Sequence, residues 1–219
     1  MQRLAIPGPA GALEALLEVP TSYTGGVAAV LCHPHPLYGG TMRNKVVARM
    51  AQALLDCGLA ALRFNFRGVE ASEGTHDAGQ GEVLDACAAV DYLMRTLAPR
   101  RLLLGGFSFG AWVAARAAAP CAAESELIGL LSVGTPADLY DYGFLAALRL
   151  PVFFVHGDAD TVCAPAAVGP LAHMGGRSRS LVLVKGADHF FTGRLKVLQE
   201  VIRGHYLPLV QRLERAGGV

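Results

Sequence analysis

The sequence predicts an α/β fold: a mostly parallel, twisted sheet with helices on both faces. Three observations predict it. From Val27 onward, short apolar segments of strand length alternate with segments of helical periodicity. The residues AVILMFWYC make up 53% of the chain and charged residues 17%, against roughly 25% charged in an average domain. Strands covered on both faces absorb that apolarity. No run approaches the ~20 apolar residues of a membrane span, since Leu127–Val133 and Pro151–Val155 are both short.

The elements follow in order. Leu4–Ile6 and Leu13–Val19 read as an antiparallel hairpin turning at Gly8–Gly11. Val27–Cys32 is an apolar strand ending in a proline-rich turn. Asn44–Cys57 carries Val47, Met50 and Leu54 at helical spacing and is stopped by Gly58. Leu59–Phe66 is a strand. Gln80–Leu97 is a helix with Val83, Cys87, Val90, Met94 and Leu97 on one face. Arg101–Phe107 is a strand, and Phe109–Ala119 an alanine-rich helix ending before Pro120. Leu127–Val133 and Leu150–His156 are strands, Pro165–His173 a short helix, and Ser180–Lys185 the last strand. Leu195, Leu198 and Ile202 mark a terminal helix that Pro208 interrupts or kinks.

At 219 residues, with no repeat, linker or composition break, the expectation is one domain spanning residues 1–219. Lys plus Arg is 19 and Asp plus Glu 18, a net charge of +1. That balance excludes a basic nucleic-acid footprint and an acidic tail. Met1–Pro20 carries Arg3, Glu14 and Glu18 and lacks an apolar signal core, so a cytoplasmic protein with no membrane partner is expected. Cys32, Cys57, Cys87, Cys121 and Cys163 are scattered without metal-like or redox spacing and read as buried free thiols.

The most informative stretch is Gly106-Phe107-Ser108-Phe109-Gly110, between an apolar strand and an alanine-rich helix. A sharp strand-to-helix turn there would raise Ser108 above the sheet's carboxyl edge, with glycines flanking it because backbone approaches closely on both sides. The Phe109 N–H and the helix dipole would favour negative charge at that point. A serine that merely caps the helix needs no flanking glycines. A phosphate-binding loop is excluded because Ala111-Trp112 stands where Lys-Ser/Thr is required.

A serine nucleophile needs a base, and the base an anionic partner. Gly157-Asp158-Ala159-Asp160 and Gly186-Ala187-Asp188-His189 both follow strands, at the edge where open α/β sheets bind ligands. The order Ser108, Asp160, His189 is that of the α/β-hydrolase superfamily. From Val27 to the last helix the chain resembles that superfamily, and is most similar to small bacterial serine hydrolases of the esterase and dienelactone-hydrolase type. The resemblance implies Ser108 as nucleophile, His189 as base and Asp160 as acid, because the family's acid lies in a G-x-x-D segment followed by a proline, here Pro165. Asp158 stays open as the alternative acid. Asp188 reads as structural, His156 as a hydrogen-bonded core histidine, and His76, His173 and His205 as solvent-facing or structural.

His33-Pro34-His35-Pro36 occupies the place of the family's oxyanion loop, His-Gly-x-Pro, with proline replacing glycine. The matching donor is the His35 backbone N–H, with Leu37 as second choice, and the Phe109 N–H completes the pair. A zinc site from His33-x-His35 with Asp158 or Asp160 lacks a further nearby ligand; no metal or cofactor is expected. Arg63-Phe-Asn-Phe-Arg-Gly resembles the family segment D-x-R-G, with Asn65 in place of the aspartate and Arg67 pinning the loop. Gly134–Arg149 leaves room for a short helix such as Tyr140–Leu148 but not for the helical lid common in the superfamily.

The resemblance therefore implies a lidless serine hydrolase cleaving a small ester or thioester, its cleft lined from Leu37, Tyr38, Phe107, Phe109, Tyr140, Tyr142, Phe144 and Phe190. Arg43 and Lys45, near the oxyanion loop, are the nearest cations to an anionic substrate handle. An acyltransferase or peptidase on the same residues, and a non-catalytic hydrolase-like binding protein, are the alternatives. Pairing of two copies through the edge of the N-terminal hairpin is the expected route to a homodimer.

Overall fold

The computed structural model describes residues 1–122, 126–174 and 179–216. Its strands are β1 (Gln2–Gly8), β2 (Gly11–Glu18), β3 (Val27–Cys32), β4 (Ala60–Phe64), β5 (Arg101–Phe107), β6 (Leu127–Val133), β7 (Val152–Gly157) and β8 (Arg179–Val184). They form one sheet in the order β1-β2-β4-β3-β5-β6-β7-β8. β1 and β2 pair antiparallel, β2 meets β4 antiparallel, and β4 through β8 run parallel. The helices are α1 (Lys45–Leu55), α2 (Gln80–Leu97), α3 (Phe109–Ala122), α4 (Pro165–His173) and α5 (Leu195–Ala216).

The two-residue period of a strand divides the core into two layers. On β3, Val27, Ala29 and Leu31 pack with Val47 and Met50 of α1 and Leu198, Ile202 and Tyr206 of α5. Ala28, Val30 and Cys32 face the other way, with Ala86 and Val90 of α2 and Val113 and Ala117 of α3. Every residue of β3, β4 and β7 is buried, as expected of strands covered on both faces. This is where the apolar excess of the sequence lies. No helix among the described residues is long and apolar enough to cross a membrane.

Helix starts are set by side chains. The Asn44 Oδ1 accepts the Val46 N–H at 2.9 Å to open α1. Glu82, in the first turn of α2, accepts the N–H groups of Gly79 and Asp77 at 2.7 and 2.9 Å.

One helix end differs from the sequence expectation, and of the two readings at Pro208 interruption is excluded. α3 does not stop before Pro120 but runs to Ala122, and α5 continues through Pro208. In each case the proline removes one donor from the ladder, while packing of Cys121 and of Val210 into the core holds the following turn. The segment expected as a helix at Tyr140–Leu148 is a single 3-10 turn, Gly143–Ala147. Among the described residues no α-helix forms between β6 and β7, and nothing in that connection forms a lid.

The thiols of Cys32, Cys57, Cys121 and Cys163 are buried and that of Cys87 half-buried. The Sγ atoms of Cys87 and Cys121 lie 3.3 Å apart between α2 and α3.

Candidate active site

The turn from β5 to α3 carries Ser108 at φ +55°, left-handed backbone that a non-glycine residue adopts only when its surroundings impose it. The surroundings here are tight. A Cβ at Gly106 would overlap the Gly110 carbonyl, and one at Gly110 would overlap the carbonyls of Cys32 and His33. The glycines on either side of the serine are therefore required by backbone contact. The Ser108 N–H is bonded to the Val133 carbonyl at 2.9 Å, which ties the turn to β6.

Three side chains from separate loops meet above it. The His189 Nε2 is 3.1 Å from Ser108 Oγ, and its Nδ1 is 2.7 Å from Asp160 Oδ2. The carboxylate fixes the tautomer: Nδ1 carries the proton, and Nε2 accepts from the serine hydroxyl. The other oxygen of Asp160, Oδ1, accepts the N–H groups of Val162 and Cys163 at 2.8 and 2.9 Å. Burial works against the Asp160 charge, but the hydrogen bonds from His156, His189 and Cys163 outweigh it and hold the carboxyl well below the ordinary aspartate range. Asp158, the alternative acid, instead accepts the Gly186 N–H at 2.6 Å. Asp188 accepts the Thr192 N–H at 2.8 Å and stays out of the chain.

The loop after β3 lies opposite. Pro34 and Pro36 have no N–H, so His35 supplies the donor in that stretch. The Phe109 N–H opens α3, where the helix ladder provides no acceptor. The His35 ring packs against Phe109 with centroids 4.8 Å apart, so one aromatic contact holds the two donor-bearing residues together. Its Nδ1 accepts the Leu37 N–H at 3.2 Å. Burial and the neighbouring His76 lower the His35 pKa.

His33, the other histidine of this loop, is fully buried. Its Nε2 accepts the Phe66 N–H at 3.0 Å and its Nδ1 reaches the Pro34 carbonyl at 2.6 Å. Burial pushes its pKa down to about 4. With both ring nitrogens committed to backbone, His33 ties the ends of β3 and β4 together and has no lone pair for a metal.

A cleft of about 360 Å³ opens over Ser108 and His189, walled by Pro34, His35, Tyr38, Val162 and Phe190. Tyr38 and Phe190 are where the sequence put them. The other expected pocket residues are not. Phe107 ends β5 with its side chain in the α1/α5 layer, buried beneath the His189 ring at 5.0 Å. Tyr142 is buried and stacked on Phe144 at 5.9 Å, and Phe144 faces a separate depression beside Trp112. Tyr140 stacks on Trp112 at 4.5 Å, behind Phe109, which is itself buried. Leu37 is exposed toward a neighbouring hollow with Val69 and His76. Arg43 is not a free handle either, because Glu14 (2.7 Å) and Glu70 both pair with it.

The supporting residues explain how the loops hold. Asn65 accepts the Met42 N–H at 2.8 Å and donates to Glu14 and Glu70, which anchors the loop after β3. Arg67 chelates the buried Asp85 of α2 through Nε and Nη2, the pinning role expected of it. Two histidines to which the sequence assigned no place at the site lie beside it. His76 stands 2.7 Å from the buried Glu82 and packs on His35 at 5.0 Å. His156 is buried, as expected, but also lies 3.2 Å from Asp160 Oδ2. The signal for it was the i, i+4 spacing of His156 and Asp160 across the strand-end turn.

The comparisons bear on the family and the fold. Residues 28–201 match the family described as "Alpha/beta hydrolase domain". An uncharacterised protein of Rickettsia prowazekii is 36% identical over 219 residues, covering 95% of this chain and 90% of that one. A lidless α/β serine hydrolase from Xanthomonas campestris superposes with a TM-score of 0.85 at 33% identity, covering 94% of this chain and 93% of that one. An α/β serine hydrolase homologue from Coxiella burnetii gives a TM-score of 0.86 at 36% identity, covering 93% of this chain and 96% of that one.

Proposed function

Because the chain belongs to the alpha/beta hydrolase family, we propose that it is a serine hydrolase cleaving a small, uncharged carboxylic ester or thioester through an acyl-Ser108 intermediate. One observation carries the reading: the hydrogen-bonded run Ser108–His189–Asp160, at 3.1 and 2.7 Å, opens directly onto the cleft. His189 takes the Ser108 proton as Oγ attacks the carbonyl, and returns it to the leaving alcohol or thiol. Asp160 stabilises the imidazolium formed in between. The N–H groups of His35 and Phe109 face the carbonyl oxygen as it gains charge, a contribution of about 2.7–4 kcal/mol per donor. Water, activated by His189, then releases the acid.

The cleft supports the substrate class. Its walls are Tyr38, Val162 and Phe190 on three different loops, and none of the described side chains lining it is Lys, Arg, Asp or Glu. Tyr38 is 87% exposed and Phe190 55%, so the acyl or alcohol group would rest on an open apolar rim, without a lid to displace. Rates on a series of p-nitrophenyl esters should peak at short to medium acyl chains. They should show no jump at the critical micelle concentration and fall to background in Ser108→Ala. Undiminished turnover in Ser108→Ala would overturn the proposal.

A further inference from the structure

His156 closes β7, fully buried, and the chemistry proposed above gives it no task. Its Nε2 lies 2.9 Å from the Cys163 carbonyl and 3.2 Å from Asp160 Oδ2. Both neighbours are acceptors, so Nε2 carries the proton, directed chiefly at the carbonyl with the carboxylate as second acceptor. The Nδ1 is buried with no hydrogen-bond partner among the described residues. The Nε2 side is the one with partners among the described residues.

Its two contacts fall at functionally separate points. Asp160 and Cys163 bracket the loop that wraps the carboxylate, with Oδ1 held by the Val162 and Cys163 amides. His156 fastens the far end of that loop back to β7 and stands beside the oxygen that holds His189. We propose that His156 is a positioning residue of this site: it shares Asp160 with His189, fixing Oδ2 in line with the His189 ring and drawing off part of the carboxylate's charge. The inference rests on the serine-hydrolase reading and deepens it.

A carboxylate that also serves a second imidazole N–H stabilises the His189 imidazolium less than one serving His189 alone. Removing the His156 donor should therefore make His189 hold its proton to higher pH. The other groups around the pair are Ser108 on the β5–α3 turn, Cys163 on the acid loop and Asp188 on the histidine loop. Asp138 and Tyr142, from the β6–β7 connection, act on Cys163. All are unchanged in His156 variants, so a shift reports His156.

The test measures kcat and KM on a p-nitrophenyl ester across the acid limb of the pH profile, for wild type, His156→Leu, His156→Asn and His156→Gln, with a melting curve for each. Gln can place an amide N–H where Nε2 stands, whereas Asn reaches only to Nδ1. Leu and Asn should lower kcat about tenfold or more with KM near wild type, and move the acid limb upward by about half a pH unit. Gln should restore both. If Leu does not fold, Asn against Gln carries the comparison. Wild-type kcat and limb in Leu or Asn would overturn the inference, as would a loss that follows melting temperature alone and is not rescued by Gln. Failure of the underlying reading looks different: wild type itself would neither turn over esters nor react with a fluorophosphonate.

Discussion

Ser108 is held at φ +55° by neighbours that leave no room for a side chain at Gly106 or Gly110. The strain is local, and it is what lifts Oγ clear of the sheet toward His189. Gly110→Ala should therefore act on this turn more than on the fold at large. Its Cβ would press on the Cys32 and His33 carbonyls, backbone atoms that cannot swing aside. A loss of about 1–3 kcal/mol is expected, with hydrolysis reduced further than the stability loss explains because the loop bearing His35 is displaced. Urea unfolding and esterase rate measured on one preparation check this; wild-type values for both would contradict it. At the same scale the sequence was partly legible. The glycine–serine spacing and the order Ser108, Asp160, His189 were readable because they sit at strand ends. That His156 is a hydrogen-bonded core histidine was readable too; that one of its partners is the Asp160 carboxylate was not, since the i, i+4 spacing shows the contact only once the strand-end turn is known to bring the two side chains together.

Between elements, the loops are positioned by ion pairs and capping rather than by length. Arg67, after β4, reaches α2 through Asp85, and Glu82 in the first turn of α2 holds both the Gly79 and Asp77 amides and stands against His76. The α2 N-terminus is thereby tied to the loop that packs on His35. Asp85 is completely buried, so Asp85→Ala strands the Arg67 guanidinium without its partner, and a destabilisation of about 3–5 kcal/mol is expected. A melting curve within error of wild type would show that the pair is dispensable. Most strand and helix boundaries matched the sequence expectation closely, as with Gln80–Leu97 and Arg101–Phe107. The miss was at Pro120, where tertiary packing outweighed the loss of one ladder bond; at Pro208 the helix is not interrupted. Pocket residues were harder. Phe107 and Tyr142 are aromatic and near the site in sequence, but strand alternation and the 3-10 turn point them into the core.

At the scale of the molecule, the parallel strands set the outcome. β5, β7 and β8 present Ser108, Asp160 and His189 at the same edge of the sheet, and β3 presents the His35 loop beside them. The apolar composition of the chain resides in strands buried between α1/α5 and α2/α3/α4. Its small remainder at the surface includes the exposed rim of Tyr38, Val162 and Phe190 over the serine. A cleft this open, with one activated hydroxyl at its floor, should react with any small phosphorylating analogue of an ester. Intact-mass measurement after treatment with a fluorophosphonate is the most direct test. The account predicts a single stoichiometric adduct that maps to Ser108 and is absent from Ser108→Ala. An unmodified protein, or an adduct on another residue, would contradict it.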